Sequence, residues 1–229
     1  DQWRNNIPGK DAFESYFNIA SDLFEKSRSV TAINDDLLFS ILSEVAQTFA
    51  IISRNITVLN EIEFQKLKEA IKYCFNYLSY SDKNVDENAS PSRGYSPTPR
   101  IIAAEALAPV YSREDSAENL AVLKEAIQSN NSIVRYDAIK HINLIRDKHS
   151  DLFENLIFET LKNENDAFVA SVILANIPSA PYNEEEANKL LEYCYTKKTL
   201  FTFNNPFLDN FSLRAVWLYT THKNALADK

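Results

Sequence analysis

The stretch SIVRYDAIKHINLI, Ser132 to Ile145, is apolar at Ile133, Val134, Ala138, Ile139, Ile142 and Ile145, with Arg135 set among the first apolar positions. The spacing is that of one face of an amphipathic helix. What decides the fold is whether the pattern recurs. Arg100, Arg135 and Ala170 stand 35 residues apart, and the same step aligns Ala103 with Ala138 and Ile173, Ala104 with Ile139 and Leu174, and Leu107 with Ile142 and Ile177. It also aligns Ser96, Asn131 and Asp166, short polar residues placed to cap the helix that follows. The stretch is therefore expected to be one unit of a repeat.

In physical terms each unit is a helix pair whose apolar face is too wide to bury alone, so neighbouring units must stack to complete the core. Small residues such as Ala103 and Ala138 let paired helices approach closely. The arginine just inside the helix is expected to reach the preceding unit's turn and tie layers together.

The pattern (D/N)xxVRxxAxxxI resembles the second helix of HEAT repeats, most clearly in NSIVRYDAIKHI, Asn131 to Ile142, and more weakly in DAFVASVILANI, Asp166 to Ile177. SPTPRIIAAEAL, Ser96 to Leu107, is a third copy with Pro99 in an apolar position, and LRAVWL, Leu213 to Leu218, a fourth if about nine residues are inserted before it. The resemblance covers Ser96 to Ala225 and implies an all-α fold, an α-α superhelix of antiparallel helix pairs. A Ser/Pro-rich loop running through an arginine into an Ala-rich helix also looks like the C-terminal helical arrays of large bacterial signalling NTPases of the STAND class. That likeness implies a sensing piece that binds a trigger protein, since no Walker motif is present.

Composition agrees with helices. The chain has 229 residues with only two glycines and eight prolines, too little turn chemistry for hairpins or for Rossmann and P-loop phosphate cradles. A formal charge of -8 disfavours general nucleic-acid binding. No apolar run is expected to reach membrane-spanning length, and no signal-peptide pattern opens the chain. The expected location is the cytoplasm. Cys74 and Cys194, each between aromatic residues, read as buried free thiols. With no Met at any position, the chain reads as a piece of a longer protein.

Upstream of the motif, residues 1–80 read as helical hairpins. Apolar spacing predicts helices over Asp11–Phe24, Leu37–Ile52 (behind Asn34) and from Asn60, where Asn60 and Glu63 make a capping box. Residues 81–98 form a polar Ser/Pro-rich loop and 99–229 the repeat units. Pro109 should kink or end the helix that starts at Pro99. Asp115 with Glu118 should cap the next helix, Ser150 and Asp166 should open two more, and Asn183 with Glu186 another.

Little in the sequence points to catalysis. His141, His149 and His222 lack metal-ligand spacing, and the run Glu184 to Glu186 suits the first turn of a helix better than a cation site. No nucleophile signature occurs, and no cofactor is expected. The function expected is non-catalytic binding of a protein or peptide partner. Its candidate residues are Tyr136, Lys140, His141 and Asn143 on the inner face, beside Asp137, Ser171, Ala175 and Asn176, together with Phe201, Phe203 and Phe207 in the loop TLFTFNNPF. Another reading is a nucleic-acid-processing enzyme of the DNA-glycosylase kind on a similar scaffold, with Trp3 and Trp217 as stacking residues. The acidic balance opposes it.

Overall fold

A computed structural model describes residues 10–29, 33–79, 82, 97–176, 192 and 195–197. Among these residues there is no strand, and they include eight α-helices. They are α1 (Lys10–Ser29), α2 (Asp35–Ser53), α3 (Glu61–Asn76), α4 (Pro99–Arg113), α5 (Ala117–Ile127), α6 (Ser132–Ile139), α7 (Ser150–Asn163) and α8 (Ala167–Asn176). Short 3-10 turns at Ile56–Val58 and Ile142–Ile145 follow α2 and α6.

Most of these helices begin at a side chain that accepts from an otherwise unpartnered backbone N–H, a contact worth about 1 kcal/mol each. Asn34 accepts from the Asp36 amide at 2.8 Å, and Asn60 and Glu63 complete a reciprocal box. Asn131 accepts from Ile133 at 2.9 Å, and Asp166 from Phe168 and Val169 at 2.8 and 3.1 Å. Two expectations are corrected. The α4 cap is Thr98, directly before Pro99 at the first helical position, while Ser96 lies outside the described residues. The α5 cap is Ser116 rather than Asp115, because its hydroxyl is the oxygen that meets the Asn119 amide, at 3.2 Å.

The helices pack in two layers. Helices α2, α4, α6 and α8 lie against one another in succession, and α1, α3, α5 and α7 each pack on a member of that row. The arrangement is all-α and superhelical, compatible with a helical repeat. One continuous core runs from Phe17 to Leu174. Ala103, Ala138 and Ile173 are all fully buried, as are Ala104 and Leu174, with Ile139 nearly so.

Helix α4 is the hub. Residues Ile101 to Ala104 and Ala106 to Tyr111 are all buried, because α2, α3, α5 and α6 surround it. Its alanines permit this close approach. Pro109 does not end it: the helix continues to Arg113. A proline forfeits one backbone hydrogen bond but holds a helical φ, and packing on every side outweighs that loss.

The opening stretch is also corrected, since α6 stops at Ile139 and a turn at Lys140 and His141 leads into the Ile142–Ile145 3-10 turn. Ile142 and Ile145 nevertheless remain fully buried. Helix α2 corrects the expectation that no apolar stretch reaches spanning length. At 19 residues it is long and apolar enough to cross a membrane by length and composition. Here its Leu42, Val45, Ala46, Phe49 and Ala50 are buried in the core shared with its neighbours.

Polar bonds recur at the same step. Arg100 donates to the Phe75 carbonyl at the end of α3 (2.8 Å), stacks over the Phe75 ring (4.1 Å) and pairs with Glu125 on α5 (3.0 Å). Arg135, 35 residues on, donates to the Ser129 and Asn130 carbonyls after α5 (2.8 and 3.2 Å) and forms a bidentate pair with Glu164 at the end of α7 (2.7 Å twice). Each arginine thus holds the end of the helix before its own and reaches forward to a glutamate on the helix after it. The expected backward reach is made by other residues. Arg113 donates to Ile56 and Leu59 carbonyls behind α2 (2.6 and 2.9 Å), and Lys148, again 35 residues on, to the Ser112 carbonyl in α4 (2.8 Å).

Arg100 finds the end of α3 across 25 residues, whereas Arg135 finds the end of α5 across five or six. Asp82 accepts from the Ser79 hydroxyl at 2.6 Å and the Thr98 hydroxyl at 2.9 Å, and so links the residues after α3 to the cap of α4.

Candidate functional site

At the surface of the inner row, three successive helices meet in one charged cluster around Glu105 of α4. Arg54, the residue that ends α2, donates to Glu105 Oε1 through Nη2 (2.7 Å) and Nε (3.2 Å). His141 Nε2 lies 3.1 Å from the same oxygen, and Lys140 Nζ 3.4 Å from Oε2. Lys140 also pairs with Asp137 of its own helix, and its ammonium sits 5.3 Å from the centre of the Tyr136 ring. Glu105 and Lys140 are themselves 35 residues apart, so the ion pair joins α4 to the end of α6 at the same step.

The cluster's chemistry follows from its charges. Burial pushes the Glu105 carboxyl up, but the His141 hydrogen bond and the Lys140 and Arg54 charges outweigh burial and hold it down to about 2. For Lys140, burial works against the ammonium, yet Asp137 and Glu105 prevail and its pKa is raised. A carboxylate held so far below neutrality is a poor proton carrier at pH 7. Its role here is to bind α2, α4 and α6 at one point.

The sequence-derived residues fall into three groups. Tyr136, Lys140 and His141 are half-buried; Lys140 and His141 pair with Glu105, and the Lys140 ammonium lies over the Tyr136 ring. Asn143 is exposed on the 3-10 turn, next to Leu144, which is 41% exposed. Phe201, Phe203 and Phe207 lie outside the described residues, as do His222, Cys194, Trp3 and Trp217. Two neighbours expected on this face are corrected: Asp137 and Ser171 are buried, because the short α6 and α8 turn them toward the packed side of the row. Asn176 donates to the Ile139 carbonyl at 3.2 Å and so ties α8 to the end of α6.

Two further titratable groups are held within the fold. Cys74 is buried and free, and burial pushes its thiol up to about 12. His149 stands 3.2 Å from Asp115 Oδ2 and packs on the Tyr111 ring. Among the described residues no three His, Cys, Asp or Glu side chains are grouped so as to hold a metal ion.

Sequence reasoning missed Glu105 and Arg54. A lone glutamate amid IIAAEALA was the available signal, since a charge in an otherwise buried helix needs a partner. It also missed a cleft of about 410 Å3 between the carboxyl ends of α5 and α7, floored by the Arg135–Glu164 pair. Comparison of the chain with protein-family models, curated proteins and solved structures finds no match.

Proposed function

We propose that the chain is a HEAT-like helical-repeat module that binds a protein or peptide partner, a sensing or scaffold piece of a larger cytoplasmic protein with no chemistry of its own. The observation that carries this reading is the row α2, α4, α6 and α8. Stacked helices present one extended face, and interlayer bonds at a fixed 35-residue step hold it in shape. On that face Glu105 and Asp137 hold Lys140, Glu105 holds His141, and the Lys140 ammonium lies against the Tyr136 ring. Side chains held rigid before binding lose little conformational entropy when a partner docks. Asn143 and Leu144 extend the face with an exposed amide and an exposed apolar anchor. The likeness to STAND sensor arrays and the Phe201, Phe203 and Phe207 loop support the same reading from the sequence.

Selection of peptides from a displayed random library against the immobilised chain tests it. The expected result is a recurrent binder whose affinity drops on Tyr136→Ala, Asn143→Ala or the paired change Phe201→Ser with Phe203→Ser, and is unchanged by Glu25→Ala on α1. Binders that ignore all of these substitutions would remove this face from consideration.

A further inference from the structure

The cleft between the carboxyl ends of α5 and α7 lies apart from the face that carries Glu105 and Lys140. Its floor is already satisfied: Glu164 is 2% exposed at its side chain and accepts two bonds from Arg135 and one each from the Asn165 and Asp166 amides. Arg135 spends its remaining reach on the Ser129 and Asn130 carbonyls, so its guanidinium is not offered to an incoming anion. Around that floor stand Glu159, Asn163 and Asn165 from the α7 side and Gln128 and Asn130 from the α5 side. Two helix carboxyl termini converge here, each contributing about half a negative charge through its last carbonyls. Lys124 is the one further cation among the lining residues, and it is exposed. A second observation shows which ligand chemistry the rim accepts: the ammonium of this chain's own Lys197 lies 3.3 Å from Asn165 Oδ1.

We propose that this cleft receives a lysine or arginine side chain from a basic segment of a partner. At about 410 Å3 it holds one such side chain with adjoining backbone. The cation meets Glu159 and takes the Asn165 amide oxygen from Lys197, while the aliphatic stem lies on Ile127 and Leu156. The chain's charge of -8 draws a basic partner toward it at long range.

Titration of the isotope-labelled chain with acetyl-Gly-Ser-Arg-Ser-Gly-amide, followed by NMR, tests the proposal against the same peptide carrying citrulline, the neutral isostere. The arginine peptide is expected to shift the amide and carboxamide signals of Gln128, Asn130, Asn163 and Asn165, and the citrulline peptide to leave them in place. Glu159→Gln should weaken binding roughly threefold and Lys124→Gln should strengthen it by a similar factor, as suits exposed charges. Equal shifts with both peptides, no shifts, or the opposite signs for the two variants would overturn it. Tyr136→Ala should leave these shifts unchanged, so failure here and failure of the inner-row reading are told apart.

Discussion

Replacing Glu105 by Gln removes one charge while keeping the side chain's shape. The carboxyl falls from 4.5 to about 2 on folding. At roughly 1.36 kcal/mol per unit that difference corresponds to about 3 kcal/mol at pH 7. The side chain is only 12% exposed, so solvent screening takes little from this figure. The amide also leaves Arg54 and Lys140 without their shared anion, which pushes the loss toward the full value. A carboxyl whose folded pKa is depressed binds protons more readily in the unfolded chain. Its stabilisation is therefore complete above about 4.5 and drains away as pH falls toward 2. Urea unfolding followed by circular dichroism at pH 7, 5 and 3 measures the gap between the parent chain and Glu105→Gln. It should be about 3 kcal/mol at pH 7 and 5 and should shrink by more than half at pH 3. A gap under about 1 kcal/mol at pH 7, or one of equal size at pH 3, would refute the assignment of Glu105 as the ionised hub.

Two further outcomes are expected. Ala138→Leu, at a fully buried seat between α4 and α8, should cost about 1–3 kcal/mol by overpacking, read as a drop in the denaturation midpoint. In a Cys194→Ser background the Cys74 thiol, buried and raised to about 12, should react with a thiol reagent only as fast as the chain unfolds; rapid modification under native conditions would contradict its burial.

Much of the architecture was legible in apolar spacing and short polar caps, because both act within a few residues. Phe64, Leu67, Ile71 and Phe75 fall inward as their period requires, and Asn60 with Glu63 forms the expected box. The alignment of Ala103, Ala138 and Ile173 at a 35-residue step was legible for the same reason, and all three are buried. What escaped the sequence depends on partners far along the chain. Arg54 and Glu105 are 51 residues apart, and only stacking brings them into contact. Pro109 signals a helix end locally, yet packing around α4 overrides it. Lys140 and His141 look like free polar surface in the sequence, and the fold commits them to Glu105. The cleft between α5 and α7 arises from the relative placement of two helices, which no local pattern encodes.

The central claim is that successive helix pairs are locked together by arginines 35 residues apart. Four double-mutant cycles on stability measure it directly, pairing Arg100→Ala and Arg135→Ala each with Glu125→Gln and Glu164→Gln. The bidentate, buried Arg135–Glu164 pair should show a coupling energy of about 2 kcal/mol and the more exposed Arg100–Glu125 pair up to about 1, with Arg100–Glu164 and Arg135–Glu125 additive. Additivity at Arg135–Glu164, or coupling in either crossed pair, would contradict the stacked register.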